Sequence, residues 1–265
     1  MDTPRRTSVP IRLPTRHNPT LQRVLNRVNV DVELHQWWKC ANINAVDRLG
    51  MSDHGQVHIR IVSNIALRML RLLVDAGVEM SVVANYGLTN HDAEVIVFLA
   101  SCLHDVGIAV HRDNHEAYSV PLALTKLREW LPGIYSQAEA SIITTETLHA
   151  IVAHEAQTRC LTIEAGIVKV ADALDMSKGR SRIPFEAGAI NIHAVSAAAI
   201  EEVVLKPGET KPVSVEVIMN NSAGIFQIDE LLKHKLQNSS IAPYVQVLAS
   251  IQGETEKRLF QSYHF

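Results

Sequence analysis

The chain has 265 residues, of which 47% are hydrophobic and 20% are charged, and its formal net charge is −3. This length suits one large domain or a medium domain with a small one, and the lack of a basic excess argues against general nucleic-acid binding. No apolar run approaches the roughly 20 residues that a membrane-spanning helix needs, and the polar N-terminal residues do not resemble a secretory signal. The three cysteines are far apart, which predicts neither disulfides nor a thiolate zinc site and favours a cytoplasmic protein.

Residues 1–19 carry four prolines among scattered arginines, and we expect an extended or mobile arm there. Between residues 20 and 182 the hydrophobic residues recur at steps of three and four, which is typical of helices with one buried face. The predicted helices are one around residues 61–73, a central one opening at Thr89, one ending near Trp130, and two over residues 138–153 and 161–176. The sequence therefore predicts an all-helical domain over residues 20–182.

The pattern changes near Gly179. Short, alternating stretches rich in β-branched residues predict strands, and a turn cluster separates two of them. The expected elements are strands at residues 189–193, 203–205, 213–219 and 244–251, with a helix at residues 226–236. The predicted fold class is mainly α, with the all-helical domain followed by a small α+β domain over residues 183–265.

The central helix ends in Leu-His-Asp-Val-Gly, with His104 next to Asp105. Neighbouring helical residues point about 100° apart, but they can converge where a helix ends, and an imidazole with a carboxylate favours a mixed N/O metal site. His58, at the start of the amphipathic helix, could complete this site. Asp172 could also take part, because a carboxylate on an otherwise apolar helix costs free energy unless it is paired or metal-bound.

Four residues in order resemble the ligand set of the HD superfamily of metal-dependent phosphohydrolases: His58, His104, Asp105 and Asp172. The resemblance covers about residues 50–182 and implies an HD-type helical domain in which these four residues hold a divalent metal. Histidine-rich ligation with carboxylates suits manganese, iron, cobalt or nickel better than zinc or magnesium.

Some members of that family hold a second metal through extra histidines between the His-Asp pair and the last Asp. His115 and His154 fall in that interval, and the stretch ending at His154 resembles a ligand in members that hydrolyse dinucleoside polyphosphates. We expect one or two ions and favour two, with Asp105 as the shared carboxylate and a catalytic residue. A core histidine at His154 is the alternative, because a buried imidazole needs only some partner.

One departure from the family pattern concerns phosphate. Many members carry a lysine directly after His-Asp-x-Gly, where it contacts phosphate, and this chain has Ile108 there. Arg112 is the candidate replacement for substrate binding and catalysis, because a guanidinium matches phosphate geometry. His111 lies four residues before His115, so on one helix the two would share a face. His111 is thus a rival ligand and a catalytic candidate, with an ordinary surface position as the alternative.

A basic cluster of Lys178, Arg180 and Arg182 follows the predicted Asp172 helix. Its closeness to a predicted metal-binding helix makes Lys178 and Arg180 candidate substrate-binding residues, because their charges could pair with phosphate. The alternative is an ordinary solvated surface.

The resemblance implies hydrolysis of a phosphate ester, with a nucleotide as the expected small-molecule substrate, by a metal-activated hydroxide that attacks phosphorus. Three alternatives stay open: a phosphodiesterase acting on RNA ends or cyclic nucleotides, a diiron oxygenase, and a non-catalytic binding module in which metal only holds the fold. We expect no membrane partner and no general nucleic-acid binding, and a homo-oligomer stays an open alternative.

Overall fold

The computed structural model describes residues 10–176 and 192–252. The first of these ranges is helical, with a π-helical turn at Ile43–Arg48 and a 3₁₀ turn at Val106–Ala109. Its α-helices are α1 (Pro19–Val30), α2 (Val32–Asn42), α3 (Gln56–Asp75), α4 (Ser81–Tyr86), α5 (Asn90–Leu103), α6 (His115–Trp130), α7 (Gln137–Ala153) and α8 (Ile163–Ala173). The predicted all-helical character of this part is confirmed. No helix in the described ranges is both long and apolar enough to cross a bilayer.

Helix α5 is the central helix of the fold, as its sequence predicted. A capping box joins Thr89 and Asp92 at its start, which satisfies backbone donors that the first turn leaves free. Every residue from Ala93 to Leu103 is buried, and α3, α7 and α8 pack against it. A helix that is apolar on all sides is stable when other elements cover it. The C-terminal end of α5 therefore lies in the interior of the molecule.

The described part of the predicted N-terminal arm, from residue 10 onward, packs against α1 through burial and hydrogen bonds. Ile11 is buried, and the Asn29 side chain bonds both its backbone N–H and its backbone carbonyl, at 2.8 and 3.0 Å. Asn18 caps α1 by accepting a hydrogen bond from the Leu21 N–H. Residues 1–9 lie outside the described residues, so the expectation of an arm there stays a prediction.

The second described range contains a small three-stranded sheet. Its elements are α9 (Ile192–Ala198), β1 (Ile200–Pro207), β2 (Val213–Met219), a helical segment over residues 225–237 and β3 (Val245–Ile251). The strand order is β1-β2-β3, with β1 antiparallel and β3 parallel to β2. A parallel pair needs a crossover connection, and the helical segment 225–237 lies in it.

Three of the four predicted strands and the predicted C-terminal helix are confirmed. The strand predicted at residues 189–193 is wrong where it is described, because α9 begins at Ile192; residues 189–191 lie outside the described residues. The stretch from 192 to 198 is rich in alanine, which favours a helix over a strand. The boundary predicted at residue 182 also lies outside the described residues.

The helical segment 225–237 and the loop after it pack against α8. Leu232 is fully buried in the same hydrophobic core as the helices. Ser240 donates a hydrogen bond to the carbonyl of Thr162, just before α8, and a Cβ at Gly166 would lie 2.4 Å from its hydroxyl oxygen. A larger residue at position 166 would crowd this close approach, which brings the C-terminal part beside the start of α8.

Candidate metal centre

The ends of three helices supply a first group of four ligand atoms. His58 lies in the first turn of α3, His104 and Asp105 directly follow α5, and Asp172 lies in the last turn of α8. The Nε2 atoms of His58 and His104 are 3.2 Å apart. Oδ2 of Asp105 lies 3.3 and 3.2 Å from them, and Oδ1 of Asp172 lies 3.3 and 3.7 Å from them.

A second group lies on the other side of Asp105. His115 is the first residue of α6, and His154 directly follows α7. Their Nε2 atoms are 3.2 Å apart, and they lie 3.1 and 3.6 Å from Oδ1 of Asp105. Asp105 thus directs one carboxylate oxygen to each group, which is the arrangement of a carboxylate that bridges two ions.

The spacing of these atoms fits divalent metals. Two ligands bound at about 2.1 Å and separated by angles between an octahedral and a tetrahedral one lie about 3.0–3.4 Å apart. The two groups show separations from 3.1 to 3.7 Å before any ion draws them together. Three sets of potential ligands within 4.8 Å of one another can be drawn from the same six residues.

The hydrogen bonds of the imidazoles also fit metal binding. In three of the four rings, Nδ1 faces an acceptor and therefore carries a proton, so that Nε2 offers its lone pair to a metal when the ring is neutral. These contacts are His58 to Asp175 Oδ2 at 2.6 Å, His104 to the Ser101 carbonyl at 2.9 Å and His154 to the Ile151 carbonyl at 2.6 Å. The structure thus directs three Nε2 atoms into the cluster.

The fourth ring, His115, has a less settled partner. Its Nδ1 lies 3.0 Å from the Arg112 carbonyl oxygen, which requires a proton on that nitrogen, and 2.7 Å from a guanidinium nitrogen of Arg112, which requires a lone pair there. One nitrogen cannot meet both requirements. Binding a metal through Nε2 would leave the proton on Nδ1, and the guanidinium would then need another partner.

Both carboxylates of the cluster are held ionised. Burial would raise the pKa of Asp105, but the charge of His104 and the hydrogen bonds from His104, His115 and His154 together outweigh burial, and the pKa lies well below its ordinary value. Burial opposes ionisation of Asp172 in the same way, and the ammonium of Lys235 does most to hold its pKa well below the ordinary value. The metal-free site therefore carries two negative charges, which a cation would stabilise.

One histidine of each group, His104 and His154, differs from the other in its protonation state. Burial favours neutral His104, but the carboxylates of Asp105 and Asp172 outweigh burial and raise the pKa of His104 to about 9. Burial lowers the pKa of His154 and keeps it neutral, and the charge of His104 adds to this effect. In the metal-free protein a proton on His104 thus takes the place of a cation in the first group.

Gly107 joins the His-Asp turn to the start of α6. A Cβ at this position would lie 2.0 Å from the backbone oxygen of His115, so only glycine fits. Ser119 strengthens the contact, because its hydroxyl accepts from the Gly107 N–H at 2.9 Å and donates to the His104 carbonyl at 2.6 Å. The sequence predicted a turn at Gly107, and the structure shows that the close approach of α6 is what requires the glycine.

The six predicted metal ligands therefore come together, but other predicted site residues do not. The expectation that His111 shares a helix face with His115 is wrong, because α6 begins at His115 and His111 lies exposed before it. No ligand group within the described residues includes His111. Arg112 lies at the second group through its contact with His115. Lys178 and Arg180 lie outside the described residues.

The position that carries a phosphate-binding lysine in many relatives is turned away from the cluster. Ile108 is fully buried in a small separate core with Ala41 and Ala45. Its carbonyl oxygen accepts a hydrogen bond from Asn44 at 2.6 Å. An isoleucine suits this apolar site, whereas a charged lysine there would lose its hydration.

Sequence reasoning missed two side chains at the cluster. Asp175 is buried against His58. It lies three residues after Asp172, and this helical spacing could have indicated that both carboxylates face the same site. Lys235 forms an ion pair with Asp172 at 2.5 Å. It belongs to the C-terminal part of the chain, and no local pattern could relate it to a residue 63 positions earlier.

Comparisons with known proteins agree with this geometry. A family model described as the HD domain matches residues 57–177, a segment that contains all six clustered ligands. The chain is also 46% identical over 229 residues to an uncharacterized protein of Methanocaldococcus jannaschii, and the match covers 86% of this chain and 88% of that protein. No solved structure matches the chain.

Proposed function

This chain belongs to the HD domain family, and we propose that it is a divalent-metal-dependent phosphohydrolase that acts on a phosphate ester, with a nucleotide as the expected substrate. The observation that carries the proposal is the position of Asp105, which directs one carboxylate oxygen to each of two adjacent ligand groups. Shared carboxylates of this kind hold two ions close enough to act on one phosphate group.

Six residues would hold metal in this proposal. His58, His104 and Asp172 would bind one ion and His115 with His154 the other, while Asp105 would bridge them. Bound divalent ions would supply an activated water as the nucleophile and would neutralise charge on the phosphate oxygens. Manganese, iron, cobalt or nickel suits this mixture of imidazole and carboxylate.

The fold supports an anion next to these cations. Helices α5, α7 and α8 end at the cluster, and the partial negative charge of their C-terminal ends stabilises cations. Helices α3 and α6 begin there, and the partial positive charge of their N-terminal ends favours an anion such as phosphate. The two histidines of the second group add no negative charge that would repel a phosphate.

Arg112 is the proposed phosphate-binding residue. Its guanidinium lies at the edge of the second group, 2.7 Å from His115 Nδ1. When that nitrogen keeps its proton for the Arg112 carbonyl, the guanidinium loses this acceptor and can pair with a phosphate oxygen instead. Lys178 and Arg180 remain proposed substrate-binding residues on the grounds of sequence alone.

The deciding experiment combines elemental analysis of the purified protein with a screen for phosphate release across nucleotides and other phosphate esters. Bound divalent metal with phosphate release from a monoester would support the proposal. Cleavage of a phosphodiester without oxygen would indicate a phosphodiesterase, and oxygen-dependent turnover with bound iron would indicate an oxygenase. Stoichiometric metal with no turnover on any substrate would contradict the catalytic proposal and favour a binding module.

A further inference from the structure

The side chain of Lys235 reaches the metal centre from the C-terminal part of the chain. Its Nζ lies 2.5 Å from Oδ2 of Asp172, and its side chain is only 17% exposed. Oδ1 of the same carboxylate faces His58 and His104 in the first group. Among the ion pairs of the described residues, this is the one that joins a lysine or arginine to a carboxylate of the cluster.

Hydrogen bonds made by Asn238, three residues after Lys235, hold this part of the chain in place. The Asn238 carbonyl accepts a hydrogen bond from the Cys160 N–H at 3.1 Å, and the Asn238 side chain donates to the Ala156 carbonyl at 3.0 Å. These two bonds attach the end of the helical segment to the loop that follows His154. Lys235 is therefore held against the cluster by contacts that do not involve its own ammonium group.

A carboxylate near a metal can bind with one oxygen or with both. Two-oxygen binding by Asp172 would occupy a coordination position that water or a substrate oxygen needs. The ammonium of Lys235 pairs with Oδ2 of Asp172, while Oδ1 faces the first group. We propose that Lys235 is a positioning residue of the metal centre, which keeps Asp172 a one-oxygen ligand and thereby keeps a coordination position open.

The experiment compares full-length wild type with Lys235→Ala and Lys235→Met, each loaded with one and then two equivalents of Co²⁺. The visible absorption of Co²⁺ reports its coordination number. We expect both variants to bind Co²⁺ but with a changed spectrum at one equivalent, because Asp172 gains a second bond to the ion. Residues that orient a ligand typically contribute 10–100-fold to activity or metal affinity, so kcat for phosphate release should fall by about that factor.

Two further variants serve as controls. Lys235→Arg retains a cation for Oδ2, so it should restore the wild-type spectrum. Lys233→Ala removes an exposed lysine of the same segment, which pairs only with Asp229 at 2.9 Å among the described residues, and it should leave spectrum and kcat unchanged. Circular dichroism establishes that each variant is folded, and the methionine variant keeps the apolar stem of Lys235 if the alanine variant does not fold.

Several outcomes would overturn the inference. Wild-type spectra for both Lys235 variants would show that the lysine does not control how Asp172 binds. A raised KM with an unchanged spectrum would instead show that Lys235 contacts substrate. The measurement of kcat rests on the proposed function, whereas the Co²⁺ absorption spectra do not. If no substrate releases phosphate but the spectra change as expected, the proposed function fails while the role of Lys235 stands.

Discussion

The two ligand groups on either side of Asp105 are built differently. The first contains a second carboxylate, Asp172, and each of its histidines donates Nδ1–H to a buried acceptor. The second relies on two histidines and the shared oxygen of Asp105, and the Nδ1 atom of His115 faces two incompatible partners. More negative charge and better-fixed ligands should make the first group the tighter metal site, with the second group adjusting to its ligand.

The largest effect should come from removing what the two groups share. We expect Asp105→Ala to lower phosphate release to background and to reduce the bound metal at both groups, because each loses its common oxygen. Elemental analysis and the release assay measure this, and circular dichroism should show the helices intact. Asp113→Ala removes an exposed carboxylate of the same region and should behave as wild type. Turnover near the wild-type rate in Asp105→Ala would exclude the assignment.

The next effect separates the groups. His115→Ala and His154→Ala should each reduce two bound metals to one, because both remove a ligand from the second group alone. His111→Ala should retain two, since His111 is exposed outside the groups. One metal in the wild type and in every variant would mean a mononuclear centre, with His115 and His154 acting as core residues or as general acids.

A smaller effect should follow from Arg112→Ala. Losing one charged hydrogen bond to phosphate costs on the order of 1.5–3 kcal/mol, which corresponds to roughly 10- to 150-fold in kcat/KM. Metal content should not change. If metal occupancy of the second group falls instead, then Arg112 supports His115 structurally and is not the phosphate-binding residue.

A separate effect, on stability rather than on catalysis, is a pH dependence that the first group produces in the metal-free protein. The pKa of His104 is raised from 6.5 to about 9 in the folded, metal-free protein. A raised pKa stabilises the fold below the unfolded value and loses this contribution as pH rises through the folded value. The free energy of unfolding of metal-free protein should therefore fall between pH 6.5 and 9, by on the order of 3 kcal/mol.

Chemical denaturation at several pH values tests this expectation. The lowered pKa values of Asp105 and Asp172 add nothing to the slope in this window, because neither group titrates there in either state. The lowered pKa of His154 opposes the fall near pH 6.5, where its imidazole still titrates in the unfolded chain, so the fall should be clearest above this pH. His104→Gln should remove most of the slope. A stability that rises with pH in the metal-free wild type would contradict the protonation assigned to His104.

Much of the fold and of the ligand set could be predicted from the sequence because those signals are local. Helical periodicity and the capping residues gave α5, and an aspartate on an apolar helix singled out Asp172. The order of His58, His104-Asp105 and Asp172 then carried the family resemblance. The signals for α5 and Asp172 are short, and only Asp172 is unfavourable in its surroundings unless it is paired or metal-bound. The ordered ligand set is spread along the helical domain and is recognisable through the family resemblance.

The remaining features depend on geometry that no local pattern contains. His111 and His115 have helical spacing, but the helix starts at His115, after an Asn114 with positive φ. This backbone change turns His111 out to solvent. Lys235 reaches the cluster because the helical segment 225–237 packs against α8 and Asn238 bonds the loop after His154. Both results depend on the tertiary path of the chain, which spacing along the sequence does not encode.

All six clustered ligands lie at the ends of five helices, or one or two residues beyond them. Helix ends are the segments that open most often in a folded protein, since their last backbone groups lack partners within the helix. Two ions that share Asp105 would join five such ends to one another and couple their opening. Amide hydrogen exchange at the ends of α3, α5, α6, α7 and α8 should therefore slow together when both metals are added, so that the ions act as cross-links between helices that are far apart along the chain.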